Sequence, residues 1–307
     1  MPELPDILLY LSALETRIVG QPLDRMRIAS PFLLRSVDPP VHALEGQVIR
    51  RLERIGKRIV WSFDDEMYAV IHLMIAGRFR WKPKGAGIPG RVGVAAFDFP
   101  TGTLLLTEAS PKKRASLTLV RGRAALEAID PGGVDPLSAN RDEFAGRLRA
   151  ENHTLKRSLT DPHLFSGIGN AYSDEILHAA QMSPTQLTRR LTDQQIATLH
   201  QATVDTLTTW IARLRDETGD RFPEKVTAFR PEMAVHGRFG KPCPRCGSAV
   251  QRITYAANEC NYCPTCQTGG RLLADRALSR LLGADWPRSL EELEEFKRQR
   301  GGRGADD

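Results

Sequence analysis

No cysteine precedes Cys243 in this 307-residue chain and none follows Cys266. Disulfides spread through the fold are therefore excluded, and the thiols must serve one local purpose. Long apolar runs are also missing. The longest, Met67 to Gly77, is interrupted by His72 and is too short to span a bilayer, so no membrane partner is expected. The opening Met1-Pro2-Glu3-Leu4-Pro5-Asp6 has no cationic n-region, and a secretory signal is not expected. No internal repeat is present. With no export signal and cysteines confined to one window, a cytoplasmic protein is expected. Charge of both signs is abundant, and 43 Lys and Arg against 37 Asp and Glu leave a net charge of +6. That mild basic excess suits a polyanionic partner without specifying one.

The cysteine window reads Cys243-Pro-Arg-Cys246, then Cys260-Asn-Tyr-Cys263-Pro-Thr-Cys266. With Cys260 set aside, the pattern is C-x2-C, sixteen residues, C-x2-C. Two thiolate pairs on tight turns at that spacing close one tetrahedral zinc site. Cys260 and Cys263 are also ligand-spaced, but the sixteen-residue span favours Cys243, Cys246, Cys263 and Cys266, with Cys260 a spare thiol. Unrelated buried thiols would not cluster in this way.

Residues 2 to 19 place Leu4, Ile7, Leu8, Leu11, Leu14 and Ile18 on a helical stripe closed by Gly20. From Val48 to about Val120 the period changes. Short runs such as Arg58 to Phe63, Ala69 to Leu73, Val94 to Phe99 and Leu104 to Leu106 alternate with Gly, Pro and Asp turns. They predict an antiparallel β-rich domain, a sandwich or barrel. Asp130 to Ser138 is a linker by composition. Asn140 with Glu143, and Thr192 with Gln195, have capping-box spacing, and the second of these helices carries Ile196, Leu199, Leu207, Trp210, Ile211 and Leu214 on one face. Ser166 to Tyr172 is a glycine-bracketed turn entering a helix. Beyond Arg271, a short helix from Ala274 to Leu282 and a segment capped by Ser289 and Glu292 are expected, with Arg298 to Asp307 disordered.

Several residues could carry chemistry. Removal of Met1 would give Pro2 a free secondary amine, and an α-amino group titrates near pH 8, so a useful fraction is nucleophilic at neutral pH. Such an amine forms an iminium with an aldehyde-like sugar carbon, and Glu3 beside it can move protons. Gly56-Lys57-Arg58 aims cations outward from a turn. Pro111-Lys112-Lys113-Arg114 is a cationic loop suited to phosphates. The Gly167-Ile168-Gly169-Asn170 turn offers backbone N–H groups at a helix start. Each of these also has a bland reading, as a helix start, a solvated charge run or a tight turn.

Their joint order resembles the formamidopyrimidine-DNA glycosylase/endonuclease VIII (Fpg/Nei) family over residues 1 to about 270. The resemblance rests on Pro2-Glu3-Leu4-Pro5, the G-K-R turn at Lys57, His72-Leu73, and Lys156 to Asp161 followed by Gly167 to Asn170. It ends in Gly237-Arg238-Phe239-Gly240-Lys241-Pro242-Cys243. It implies an α+β multidomain fold. An N-terminal antiparallel β-sandwich with an N-terminal helix would span 1–130, and a helix–two-turns–helix DNA-binding domain 131–235. A zinc-finger β-hairpin would span 236–270, followed by a tail at 271–307 of no assigned role. Damaged double-stranded DNA would lie in the cleft between domains, bound by a monomer associated with the nucleoid. The implied activity is excision of oxidised or ring-opened purines, followed by lyase cleavage. The amine of Pro2 would attack C1′ and expel the base, and β- then δ-elimination would cut both sides of the lesion. Pro2, Glu3 and Lys57 would be catalytic. His72, Ile75, Lys113, Arg114, Lys156, Asn170 and Asn258 would meet DNA, and the four cysteines would hold one structural zinc.

Four positions depart from the family pattern. Asp6 stands where glutamate is usual, one methylene shorter. Ile75 replaces the methionine that fills the space left by the flipped base, and remains an apolar wedge. Arg114 takes the place of an aromatic wedge. Asn258 stands where the finger carries an arginine that grips phosphate, and a neutral contact is roughly half as strong as a charge-assisted one. Oxidised pyrimidines or bulkier lesions are the alternative substrates, and a non-catalytic DNA-binding relative is the alternative class.

Overall fold

A computed structural model of the chain describes residues 1–255, 258–274 and 280–301. The chain divides into two compact units, Met1–Asp135 with Leu207–Ala228, and Pro136–Thr206 with Phe229–Asp307.

The first unit opens with helix α1 (Leu4–Ile18), which begins with proline in its first turn, where a missing N–H costs nothing. Asp6 at N3 accepts from the backbone N of Glu3 at 3.0 Å, satisfying an otherwise orphan donor. Leu4, Ile7, Tyr10, Leu14 and Ile18 are buried, and the chain leaves the helix through Gly20 at φ 77°. Eight strands follow: β1 (Arg25–Ile28), β2 (Arg51–Ile55), β3 (Arg58–Ser62), β4 (Met67–His72), β5 (Gly77–Lys82), β6 (Gly93–Phe99), β7 (Gly102–Glu108) and β8 (Ser116–Arg121). They form two antiparallel four-stranded sheets, ordered β1-β6-β7-β5 and β2-β3-β4-β8. This is the expected β-sandwich. Trp61 meets Phe97 edge-on at 4.9 Å within its core, and Ile7, Tyr10 and Phe79 belong to the same core cluster. A short helix α2 (Arg123–Glu127) follows.

The strand β5 side of this unit is completed by residues from late in the chain. Phe222 lies 6.0 Å from Tyr10 and 6.4 Å from Trp81, Lys82 pairs with Glu224 at 2.7 Å, and Val226 is buried in the sandwich core. Burial of Val226, roughly 1.5–3 kcal/mol for a fully buried apolar side chain, together with the partly buried Phe222, helps hold this segment to the sandwich.

The second unit contains α3 (Arg141–Arg149), α4 (Leu155–Thr160), α5 (Asn170–Ala179) and the first part of α6 (Asp193–Thr218). Both capping boxes form. Asn140 accepts from Asp142 N and Glu143 N while Glu143 accepts from Asn140 N at 2.9 Å, and Thr192 and Gln195 exchange bonds of 3.0 and 3.2 Å. On α6, Ile196, Leu199, Leu207, Trp210 and Leu214 are buried and Ile211 is half-buried. Strands β9 (Gln251–Tyr255) and β10 (Asn258–Tyr262) make an antiparallel hairpin, followed by α7 (Pro264–Thr268).

In the tail, the helix expected from Ala274 to Leu282 falls largely outside the described residues, and only 280–282 are seen as helical. Ser289 Oγ accepts from Glu292 N at 3.2 Å and opens α8 (Leu290–Gly301). Arg298 to Gly301 therefore continue a helix instead of being disordered, as the helix formers Lys297, Arg298, Gln299 and Arg300 favour. Residues 302–307 lie outside the described residues.

Candidate active site and metal centre

Pro2 and Glu3 are buried at the start of α1. Burial holds the terminal amine, here on Met1, below its ordinary value. Glu3 opposes that shift, Arg78 reinforces it, and Asp6 and Lys57 contribute with opposite signs in turn. These charges thus surround the start of the chain. Lys57 follows Gly56, which takes φ 59° in the β2–β3 turn. Burial lowers the pKa of Lys57 too, against the pull of Glu3. Asp6, despite its shorter side chain, keeps a buried carboxylate on the Glu3 backbone.

His72 ends β4 opposite Arg58 and Ser116. Burial, helped by Arg58 and Lys57, pushes its pKa down to about 4, so the ring is neutral at pH 7. Its Nε2 is buried without a hydrogen-bond partner in the described residues. The turn that follows presents Ile75, an apolar side chain 58% exposed. That turn needs Gly77, where a Cβ would sit 2.2 Å from the Leu73 carbonyl oxygen. Arg78 ties it down, donating from Nη1 to the carbonyls of Ile75 (3.1 Å) and Gly77 (2.7 Å), and from Nε to that of Val226 (2.5 Å).

The cationic loop is anchored from beneath by Glu108, which is 1% exposed and accepts from Arg114 N and Ala115 N at 2.9 and 3.1 Å. Lys113 Nζ donates to the carbonyl of Glu108, while Lys112 and Arg114 are exposed. Neither Arg78 nor Glu108 was singled out by sequence. Both work through backbone carbonyls and amides, which leave no spacing signal.

In the second unit, Lys156 is only 4% exposed. Its Nζ lies 2.5 Å from Asp174 Oδ1 and donates to the Asn170 carbonyl at 2.6 Å. Asp174 Oδ2 also takes His236 Nδ1 at 2.8 Å and Asn261 N at 3.1 Å. Burial raises the carboxyl's pKa, but Lys156 and His236 outweigh it and hold Asp174 below the usual carboxylate value. Asn170 starts α5, and its Nδ2 donates to the Glu259 carbonyl of β10 at 2.8 Å. The structure thus joins the glycine turn, Lys156 and the hairpin through Asp174, a residue absent from the sequence-derived set. The visible signal was a pair of acids, Asp174 and Glu175, inside an apolar helix. Asn258 pairs with Tyr255 at the end of the hairpin where β9 passes to β10, and its side chain lies outside the described residues.

Cys243, Cys246, Cys263 and Cys266 bring their sulfurs within 4.8 Å of one another. The Cys246–Cys263 and Cys243–Cys266 separations are 3.4 and 3.9 Å. Sulfurs about 2.3 Å from a tetrahedral zinc stand about 3.8 Å apart, so the four residues fit one structural zinc ion. Cys260 is fully buried in β10, outside this group, and burial raises its thiol pKa. Among the described residues, no helix is long and apolar enough to cross a membrane.

Comparison with known proteins accords with this geometry. The formamidopyrimidine-DNA glycosylase N-terminal domain matches residues 1–123, its H2TH domain 133–221, and the zinc finger found in FPG and IleRS 240–269. A formamidopyrimidine-DNA glycosylase of Exiguobacterium sibiricum is 30% identical over 279 residues, spanning 87% of this chain and 99% of the relative. An uncharacterized formamidopyrimidine-DNA glycosylase-like protein of Mycobacterium tuberculosis is 41% identical over 150 residues, spanning 49% of this chain and 93% of its own. The Lactococcus lactis Fpg solved with abasic-site DNA superposes with TM-score 0.76 at 25% identity, over 87% of this chain and 99% of that one. The fold and metal group are those of the zinc-finger DNA-repair glycosylases. The chain belongs to the formamidopyrimidine-DNA glycosylase (Fpg/Nei) family.

Proposed function

We propose that this protein is a bifunctional DNA glycosylase and abasic-site lyase acting on duplex DNA with oxidised or ring-opened purines. The observation that carries the reading is the start of the chain, where Pro2 and Glu3 lie buried among Lys57, Asp6 and Arg78. A place that disfavours an ammonium favours the free amine that nucleophilic catalysis needs. With Met1 removed, the Pro2 nitrogen attacks C1′ of the flipped nucleotide, and the C1′–N bond breaks with its electron pair leaving on the base. The attacking nitrogen gives its proton to the Glu3 carboxylate, Glu3 delivers it to the ring oxygen, and the C1′–O4′ bond breaks to leave an open sugar held as an iminium. Loss of a C2′ proton expels the 3′ phosphate, and a second elimination expels the 5′ phosphate.

Ile75 fills the vacated stack, and unstacking is cheapest at a damaged pair. His72, neutral and with an unused ring nitrogen, hydrogen-bonds near the lesion. Arg114 reaches the opposite strand, and Lys113 supports its loop. The Asn170 turn meets a phosphate, with Lys156 and Asp174 fixing it from behind. Asn258 offers the same face an uncharged donor. Cutting of an abasic duplex tests this reading. The wild type should leave phosphate at both ends of a one-nucleotide gap, and Pro2→Gly with Met1 still removed should lose that product. Duplexes carrying single defined lesions then separate purine from pyrimidine preference. Tight binding of abasic DNA without any cleavage would make the protein a non-catalytic binder.

A further inference from the structure

Helix α5 runs from the glycine turn to the metal centre. Near its C-terminus, His178 is 5% exposed, and its Nε2 lies 3.2 Å from Cys243 Sγ. The contact is part of a wider seam. Arg245, between the first two ligands, donates to the Ala179 carbonyl at 3.4 Å. Gln267, beside the last ligand, donates to the Met182 carbonyl at 2.9 Å and accepts from Cys263 N at 2.8 Å. Both cysteine turns therefore abut the end of one helix.

A zinc-bound thiolate has lone pairs and no proton, so it can only accept a hydrogen bond. The ring nitrogen facing it must donate. We propose that His178 is an outer-sphere residue of the zinc centre, its Nε2–H donating to the Cys243 thiolate. Four thiolates on a divalent ion leave two excess negative charges, and a donor aimed at one sulfur offsets part of that charge in a buried place. The same bond fixes the Cys243 side chain before the metal arrives. Outer-sphere partners of this kind orient ligands and tune their basicity.

The position of His178 also links metal and hairpin. Asn170 is the first residue of α5 and His178 the ninth, about 12 Å apart along a helix rising 1.5 Å per residue. Asn170 holds the Glu259 carbonyl of β10, while His178 holds a ligand from the other cysteine turn. One helix thus spans the finger from its metal turn to its strand. This inference concerns the metal centre and holds whether or not the Schiff-base reading does.

The test uses the full-length zinc protein. His178→Phe removes the donor at similar volume, and His178→Gln restores an N–H. In chelator competition, zinc should bind about 10–100-fold more weakly to His178→Phe and within about threefold of wild type to His178→Gln. In cobalt-substituted protein, the sulfur-to-cobalt charge-transfer band of His178→Phe should move to lower energy, and that of His178→Gln should not. Cadmium-113-substituted wild type needs no variant, and its His178 ring N–H should show scalar coupling to the metal through sulfur. Wild-type affinity and cobalt spectrum in His178→Phe would overturn the proposal. So would equal loss in both variants, or a cadmium form with no coupled ring proton.

Discussion

Asp174→Asn should be among the most damaging conservative substitutions in the second unit. The Asp174 carboxylate is fully buried and receives Lys156 Nζ, His236 Nδ1, Asn261 N and Asn261 Nδ2 at 2.5, 2.8, 3.1 and 3.4 Å. Asparagine keeps the shape but removes the charge and turns one oxygen into a donor. That donor must then face either Lys156 or His236. Removing one partner of a buried ion pair costs about 3–5 kcal/mol, because the other charge stays desolvated. For a unit of roughly 150 residues, each kcal/mol moves the midpoint about 2–4 °C, giving a fall of about 6–20 °C. Thermal unfolding of the zinc-loaded protein followed by circular dichroism measures it. Asp64→Asn is the control, since the Arg50–Asp64 pair has both side chains more than half exposed and should contribute little to stability. The pH dependence has a definite sign. Asp174 has a depressed folded-state pKa, so its contribution is present above the unfolded value of about 3.9 and is lost as pH falls below it. Asp174→Asn should flatten that acid limb. A midpoint no lower than that of Asp64→Asn would refute the argument that this carboxylate holds the unit together.

Cys260→Ser should retain one zinc per chain by metal analysis, because Cys260 stands outside the four-sulfur group, whereas Cys263→Ser should lose it. Glu108→Leu removes the acceptor of the Arg114 and Ala115 amides, so trypsin should cut faster after Lys112, Lys113 and Arg114; an unchanged digestion rate would mean Glu108 does not hold the loop. Asn258→Arg should tighten DNA binding and steepen the slope of log affinity against log salt by about 0.9, the value of one added phosphate contact. An unaltered slope would show that the hairpin end meets no phosphate.

Features encoded within a few residues were legible in the sequence. The stripe of α1, the boxes at Asn140 and Thr192, the turn glycines and the C-x2-C pairs each depend on near neighbours, and each forms as expected. Long-range partners were not legible. Lys156 looks like a phosphate cation until Asp174 is placed against it, and nothing in its own neighbourhood announces that partner. The pairing of His178 with Cys243 spans 65 residues, and that of Arg78 with Val226 spans 148. Residues 219–228 carried no local pattern that pointed to the sandwich, yet Val226 is buried in its core and Phe222 packs against it. The tail was misread at Arg298 because a glycine-rich end masked a run of helix formers.

The central claim is that the amine of Pro2 forms the covalent link to the sugar. Abasic duplex mixed with the Met1-processed protein and borohydride should yield a stable cross-linked species. Mass spectrometry of its proteolytic peptides should place the adduct on the peptide that begins at Pro2. A cross-link mapped to a lysine instead, or none with DNA that the protein demonstrably binds, would contradict the account.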